Sequence, residues 1–375
     1  ICKLLLYLCQ PRGFGGTPAR RAMYYATKNM DSTRPCVGTS GNYQVVSDIY
    51  DLHDYIQEKD KFDPRTCIGK GKVEEISALC KNNNVALVVF DFELTPAQIR
   101  NLENDIGDVT VIDRSMLILD IFALHAISGE GKLQVELAQL RYSAPRLTGK
   151  GIELSRQGGG IGSRGPGESK LETDRRHLHE KIVSLEKKLA ELEHNRAVMR
   201  AQRDRSGIAK VALVGYTNAG KSTLLNQLTG AGIPANNRLF DTLDTTSRQL
   251  TVSENLDVIL SDTVGFIAKL PHHLVNAFHA TLEELEYADL LLHVIDASDP
   301  NREEHIEVVE KLITKLAKPE TPVLRCYNKA DLVYPEDIPH GNDVVAISAK
   351  RGMNMDGLLK AIEKALDQAR HHVVV

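Results

Sequence analysis

The sequence predicts an α/β fold: a mostly parallel sheet wound by helices, preceded by a small α/β subdomain and a long helical hairpin. Between residues 211 and 350, short apolar runs alternate with helical stretches, which is the pattern of a parallel sheet. The run from 290 to 296 is nearly all apolar, as expected of a strand buried on both faces. The chain has 375 residues, which is enough for two or three domains.

The first segment, residues 1–44, shows little periodicity and is expected to be divergent or disordered. The first thirty residues carry five basic and no acidic side chains around a short apolar run at 4–8. A weak targeting signal is therefore the alternative interpretation, and with it an organelle matrix in place of the cytoplasm.

Residues 45–112 are expected to form the α/β subdomain. Its predicted elements are helices at 73–80 and 96–105 and strands at 85–90 and 109–112. Before the first helix, Thr66-Cys67-Ile68 leads into Gly69-Lys70-Gly71-Lys72. This turn either binds a phosphate at the start of the helix or is an ordinary strand–helix turn, and its spacing favours the ordinary turn.

Residues 113–206 are predicted to be a helical hairpin, with helices at 115–141 and 168–205. Apolar residues at a 3–4 spacing mark the seam of the second helix: Leu171, Leu178, Ile182, Leu185, Leu189, Leu192 and Met199. The connecting loop, residues 142–167, contains eight glycines, and six basic residues face two acidic ones between 141 and 170. A flexible linker would explain the glycines, whereas RNA contact also explains the charge.

Residues 207–375 are expected to form the largest domain, and a glycine-rich loop identifies it. An apolar run at 211–214 is followed by the pattern G-x-x-x-x-G-K-S and then by a helix. Such a P-loop wraps backbone N–H groups around phosphate oxygens, with Lys221 on the β- and γ-phosphates and Ser222 on Mg²⁺. The predicted nucleotide contacts are Gly215, Tyr216, Thr217, Asn218, Ala219, Gly220, Lys221, Ser222 and Thr223.

Two further motifs indicate that the base is guanine. Asn328-Lys329-Ala330-Asp331 follows an apolar run, and the Asp331 carboxylate would accept from guanine N1–H and the 2-amino group, which adenine lacks. Ser348-Ala349-Lys350 follows the next run and would contact the base through a backbone N–H and the lysine stem. Together with the P-loop, these motifs predict a P-loop GTPase domain that binds GTP, GDP and Mg²⁺.

The residues between these motifs predict the switches. Asp262 ends a strand and begins D-x-x-G, so it would hold Mg²⁺ through water while the Gly265 N–H bonds the γ-phosphate. Thr242 is the predicted second metal-ligating hydroxyl, with Thr245 or Thr246 as alternatives. Residue 266 is Phe where many GTPases place a water-orienting Gln, so slow intrinsic hydrolysis is expected.

Composition restricts the possible partners and compartment. The net charge of −4 excludes electrostatic RNA binding by the chain as a whole, so any basic surface must be local. Six scattered cysteines without a C-x-x-C pair fit a reducing compartment and no structural zinc. No run approaches the ~20 apolar residues that span a bilayer, and a cytoplasmic monomer is expected.

Long ordered strings of residues resemble the HflX family of ribosome-binding GTPases. The most specific string runs from Arg146 to Gly162 and continues through Arg164–Glu168 to Leu171–Arg176. Others are Ile68–Glu75, Asp262–Ile267 and Lys269–Leu274. The resemblance implies contact with the large ribosomal subunit through the 142–167 loop and the hairpin, and GTP-dependent splitting or rescue of stalled ribosomes under stress.

The sequence differs from the family pattern at two places, and two alternative functions remain open. Thr245 replaces the proline that is usual in the switch I of this family, and the first ~45 residues do not match the opening strand and helix of the family. A GTPase of ribosome assembly or RNA modification is one alternative. An ATP-driven RNA remodeller that uses Gly69–Lys72 as a second nucleotide site is the other.

Overall fold

A computed structural model of the chain describes residues 6–9, 62–82, 85, 87–90, 93–149, 166–204, 207–230, 246–267 and 279–372. The chain divides into two compact units, residues 1–124 with 135–187 and residues 125–134 with 188–375. The second unit therefore also includes short stretches that lie before the predicted boundary at 207. Among the described residues, no helix combines the length and apolarity needed to cross a membrane.

The first unit contains a small three-stranded sheet. Its elements are β1 Leu6–Cys9, α1 Lys70–Asn82, β2 Leu87–Phe90, α2 Pro96–Ile106, β3 Thr110–Asp113 and α3 Arg114–His125. The sheet order is β1-β2-β3, with β1 antiparallel and β3 parallel to β2. A capping box begins α2, since Thr95 and Gln98 each bond the other's backbone. Apolar residues such as Ile76, Val88, Phe90 and Leu102 fill the core.

Two features of this unit were not predicted from the sequence. Part of the segment 1–44 is a strand, because Leu6–Cys9 pairs with β2. The apolar run at 4–8 thus contributes to an edge strand of the small sheet. Residues 66–68, which precede the G-K-G-K turn, are themselves part of a turn, since Cys67 pairs back to Asp63 and has φ of 66°.

The helical hairpin consists of α4 Gly129–Ser143 and α5 Pro166–Asp204. The single helix expected at 115–141 is instead two helices, α3 and α4. Ser128 breaks it, because its hydroxyl accepts from Gly131 N at 2.8 Å and caps a new helix. Antiparallel ion pairs join α4 to α5: Arg141–Glu186 at 2.7 Å, Glu136–Lys181 at 2.6 Å and Glu130–Arg196 at 2.8 Å.

The predicted apolar seam of α5 is only partly buried. Leu185 is fully buried, whereas Leu178, Ile182, Leu189 and Leu192 are half-buried. The side chains of Leu171 and Met199 lie outside the described residues. The segment after α4, residues 144–149, is a short 3₁₀ helix.

The second unit contains a six-stranded sheet in the order β5-β6-β4-β7-β8-β9. Only the edge strand β5 is antiparallel, so the expected mostly parallel sheet is confirmed. Its elements are β4 Ala209–Val214, α6 Lys221–Thr229, β5 Thr246–Ser253, β6 Leu256–Asp262, α7 His279–Glu286, β7 Leu290–Asp296, α8 Arg302–Leu316, β8 Val323–Asn328, β9 Val344–Ala346 and α9 Met355–His372.

The central strand β7 is buried on both faces, including His293, as its apolar sequence predicts. Burial and the nearby Arg325 and Lys221 charges lower the pKa of His293 to about 3, so this imidazole is neutral. Strands β4, β6, β8 and β9 run parallel, and each predicted motif follows the carboxyl end of one of them. This places the motifs at one edge of the sheet, where α/β folds bind ligands.

Candidate nucleotide-binding site

The P-loop joins β4 to α6 as a tight cradle. A Cβ on Gly215 would lie 2.3 Å from Val294 O, and one on Gly220 would lie 2.2 Å from Asn328 Nδ2. Gly220 has φ of 97° and is the N-cap of α6, which begins at Lys221. Only glycine fits these two positions. The N–H groups that open α6 are thus available to an anion at a helix N-terminus.

Lys221 is buried at the start of α6. Its ammonium donates to Gly215 O at 3.0 Å and Tyr216 O at 2.9 Å. Burial lowers the pKa of Lys221 to about 8, against the opposing pull of the Asp262 carboxylate. The buried charge lies among P-loop carbonyls, where a phosphate would supply a stronger partner.

Ser222 and Asp262 lie together, as the metal prediction requires. Ser222 Oγ donates to Asp262 Oδ2 at 2.6 Å, and Asp262 is fully buried at the end of β6. Hydroxyl and carboxylate oxygens are ligands that Mg²⁺ prefers, so this pair fits the ion. Thr242 and Thr245 lie outside the described residues, whereas Thr246 begins β5 and pairs in register with Asp262.

Gly265 lies close to the P-loop. A Cβ on Gly265 would be 2.8 Å from Thr217 Cγ2 and 3.2 Å from Lys221 Nζ. Phe266 N donates to Gly215 O at 3.1 Å, and Thr217 N donates to Phe266 O at 2.8 Å. These bonds join the D-x-x-G segment to the P-loop as a short parallel bridge.

The Phe266 side chain is almost fully buried, at 1% exposure. It therefore belongs to the core, and a phenyl ring carries no polar group that could orient a water molecule. The sequence indicated that a water-orienting Gln is replaced at this position, whereas the burial of the Phe266 side chain emerges only from the structure.

Asn328 connects two of the predicted loops. Its Nδ2 donates to Ala219 O at 2.8 Å, and its Oδ1 accepts from Ala349 N at 2.9 Å. The side chain is buried at 3% exposure. The first motif residue of N-K-x-D thereby fixes the P-loop against the S-A-K segment.

The remaining base-recognition residues surround the same edge. Lys329 has φ of 61° and donates to Asp296 Oδ2 at 2.5 Å. Asp331 pairs with Arg351 Nε at 2.8 Å, and a hydrogen bond from Ser348 lowers the pKa of Asp331 below its ordinary value. Ser348 and Ala349 are buried, and Lys350 is exposed.

The second unit thus brings together every described residue predicted for the nucleotide. Tyr216, Thr217, Asn218 and Thr223 complete the loop and the first turn of α6. Asp296 and Arg351 were not predicted. A carboxylate at the carboxyl end of the apolar strand β7 was a signal for Asp296, whereas nothing in the sequence indicated the pairing of Arg351 with Asp331.

Arg146, the first basic residue within the loop that is predicted to contact RNA, has internal partners in the first unit. Arg146 Nη2 lies 3.0 Å from Asp113 Oδ2, and its guanidinium stacks 3.5 Å from the centre of the Tyr142 ring. Asp113 is completely buried and also accepts from Tyr142 OH and Leu94 N. A buried carboxylate needs such a partner, so Arg146 anchors the start of the loop internally.

Some of the other residues predicted to contact RNA or phosphate lie outside the described residues, and others have ion-pair partners. Lys150, Arg156 and Arg164 lie outside the described residues. At the G-K-G-K turn, Lys70 pairs with Glu74 at 3.9 Å and Lys72 with Glu75 at 2.9 Å, both within α1. These lysines are therefore already matched by acids of their own helix.

Three family models match successive parts of the chain. They are described as "GTP-binding GTPase N-terminal" over 46–123, "GTP-binding GTPase Middle Region" over 125–203 and "50S ribosome-binding GTPase" over 210–329. A solved GTP-binding protein from Sulfolobus solfataricus in complex with GDP is 25% identical and covers 83% of this chain and 89% of its own, with a TM-score of 0.44. That score is low, so the family assignment rests on sequence relatives.

The curated relatives are much closer in sequence. "GTPase HflX" of Caldanaerobacter subterraneus is 54% identical over 311 residues, which cover 83% of this chain and 72% of that protein. The proteins of the same name from Alkalihalophilus pseudofirmus and Escherichia coli are 50% and 46% identical, over 83% and 81% of this chain and 73% and 72% of their own lengths. Both the nucleotide motifs and this similarity lead to one conclusion: the chain is a GTPase that belongs to the HflX family.

Proposed function

We propose that the cradle formed by residues 215–223 binds GTP, and that the GTP-bound protein engages the large ribosomal subunit to split or rescue stalled ribosomes. The observation that supports the site best is the double hydrogen bond of Asn328 to Ala219 and Ala349, which holds phosphate and base loops in one arrangement. The ribosomal part is supported by family membership and by the model described as "50S ribosome-binding GTPase". A ribosomal partner would place the protein in the cytoplasm or an organelle matrix.

In this proposal each residue acts on a defined part of GTP. Backbone N–H groups of 218–223 and the Lys221 ammonium bind the phosphates, and Asp331 accepts from the guanine edge. Ser222 and Asp262 would hold Mg²⁺, with Thr242 as the second hydroxyl. The ion supplies charge neutralisation on the phosphate oxygens. The Gly265 N–H would donate a hydrogen bond to the γ-phosphate. Loss of this hydrogen bond after hydrolysis would release the D-x-x-G segment.

Hydrolysis is expected to be slow without a partner. Because the side chain at 266 is buried in the core, the attacking water must be oriented by another group. We propose that contact with the ribosome completes this arrangement. The remaining basic residues of the loop, Lys150, Arg156 and Arg164, would contact rRNA, whereas Arg146 holds the start of the loop to the first unit.

Sedimentation of ribosomes provides the test. Intact ribosomes are mixed with the full chain and GTP, a non-hydrolysable GTP analogue or GDP, and the subunits are separated on gradients. Splitting predicts free subunits with GTP and protein retained on the large subunit with the analogue. Binding to subunits without a loss of intact ribosomes would favour assembly or RNA modification, and Lys221→Ala should abolish either nucleotide effect.

A further inference from the structure

A ring stack joins the P-loop to helix α8. The Tyr216 and His305 rings have centroids 3.6 Å apart and are inclined by 9°. Tyr216 is the first variable residue of the P-loop, and His305 lies in the first turns of α8. Rings this close and this nearly parallel overlap face to face and lie in van der Waals contact over their whole area. Neither the phosphate nor the base motifs assign a role to His305.

Asp299 fixes the imidazole from the other side. His305 Nδ1 lies 3.4 Å from Asp299 Oδ2, and both side chains are only 17% exposed. Asp299 is itself held, since its Oδ1 accepts from Asn301 N at 2.8 Å and its carbonyl accepts from Arg302 N at 3.2 Å. The orientation of His305 is therefore set by the turn that opens α8.

The stacked residue lies at the junction between the P-loop and the γ-phosphate sensor. The Tyr216 carbonyl accepts from Lys221 Nζ at 2.9 Å. Its neighbours Gly215 and Thr217 carry the two backbone hydrogen bonds to Phe266, which directly follows Gly265. A shift of Tyr216 would consequently move Gly265 relative to Lys221.

We infer that His305 is a positioning residue for the P-loop: its stack on Tyr216 holds residues 215–217 against Phe266 and so keeps Gly265 in place for the γ-phosphate of GTP. This inference rests on the proposal that residues 215–223 bind GTP, and it is independent of the ribosomal role. It predicts a selective effect, because Gly265 contacts only the phosphate that distinguishes GTP from GDP.

The test compares the affinities of the full chain for GDP and for a non-hydrolysable GTP analogue. His305→Ala should lower the affinity for the analogue by about 3- to 10-fold relative to GDP, the range expected for loss of one stacked pair. His305→Phe keeps a ring on Tyr216 and should restore most of this preference. His340→Ala, which changes an exposed histidine of the same unit, is the matched control and should leave both affinities unchanged.

Several outcomes would overturn the inference. It is wrong if His305→Ala keeps the wild-type ratio, if it weakens GDP and the analogue equally, or if folded His305→Phe behaves like His305→Ala. If His305→Ala does not fold, Tyr216→Leu is tested in its place. An unchanged ratio of the affinities for the analogue and GDP in Tyr216→Leu would also contradict the inference. Lys221→Ala separates the two proposals: normal nucleotide binding by that variant would contradict the P-loop site itself.

Discussion

Ser222 Oγ donates to Asp262 Oδ2 over 2.6 Å, which joins the first turn of α6 directly to the end of β6. The two residues come from motifs forty positions apart, and parallel pairing of β4 with β6 brings them together. This hydrogen bond therefore holds the P-loop and the D-x-x-G segment together through the protein's own side chains.

Asp262→Asn tests the proposed Mg²⁺ site. An amide retains the size of the carboxylate but loses its charge, so the ion should be held more weakly and hydrolysis should fall by about 10²-fold or more. The measurement is GTP hydrolysis as a function of Mg²⁺ concentration. A variant that needs no more Mg²⁺ than the wild type would contradict the assignment.

Asp331→Asn should shift preference from guanosine to xanthosine nucleotides. In the proposed site, the carboxylate would accept from guanine N1–H and the 2-amino group, whereas an amide would donate to the 2-oxo group of xanthine. Competition binding between GTP and XTP measures the change. Asp337→Asn, an exposed substitution beyond the motif, is the control, and full retention of GTP selectivity by Asp331→Asn would show that the base is read elsewhere.

Nucleotide affinity should depend on pH through Lys221. Its pKa is lowered to about 8 in the protein alone, and a bound triphosphate favours the charged form and raises it. Binding must then take up a proton above about pH 8, so GTP affinity should be level below this pH and fall as pH rises beyond it. Calorimetry of the wild type and of Lys221→Ala, which should bind GTP far more weakly, checks this.

The comparison with Lys221→Ala separates the pH dependence that is caused by Lys221 from the pH dependence that is caused by titration of the nucleotide. Any pH dependence common to both proteins belongs to GTP. If the wild type and the variant show the same slope above pH 8, the neutral form of Lys221 does not limit binding.

Arg146→Ala should destabilise the first unit. Removing the guanidinium leaves the buried Asp113 carboxylate with fewer partners, at a cost of about 1–3 kcal/mol in the free energy of unfolding. Arg141→Ala is a matched control, since Arg141 is 57% exposed in its pair with Glu186 and should cost only about 0–1 kcal/mol. Equal denaturation midpoints for both variants would contradict the anchoring role.

Replacing Arg156 and Arg164 with Ala should weaken large-subunit binding and leave GTP binding intact. Each arginine that neutralises a phosphate releases about one counterion, so the salt dependence of the affinity should flatten. Subunit affinity at several salt concentrations measures this. Parallel plots with equal affinity would mean that the loop is a linker.

Much of the nucleotide domain was predictable because its strands are short, apolar and followed by glycine- or carboxylate-rich motifs. The strand at 290–296 matches β7 residue for residue. The break at Ser128 was missed although Ser128-Gly129-Glu130-Gly131 interrupts the apolar pattern with a capping residue and two glycines. The hydrogen bond from Gly131 N to Ser128 Oγ shows that the new helix begins there.

Long-range contacts account for the other differences. The sequence shows that Arg146 is charged. It does not show that Asp113, 33 positions earlier, is buried and forms an ion pair with this arginine. Similarly, a histidine in α8 carries no local pattern that would connect His305 with the P-loop. The edge strand β1 was missed because its partner β2 lies beyond a long unpatterned stretch.

The two hydrogen bonds of Asn328 also make this residue a chemical weak point. Deamidation would replace Nδ2, a donor, with a carboxylate oxygen that faces the Ala219 carbonyl, so that two acceptors oppose each other. Only the side-chain amide would change, to a carboxylate, and the hydrophobic core would be kept. The hydrogen bond between the phosphate loop and the base loop would nevertheless be lost, and the two loops would separate. Loss of activity would then precede any loss of folded protein in a chain that has deamidated at this buried side chain.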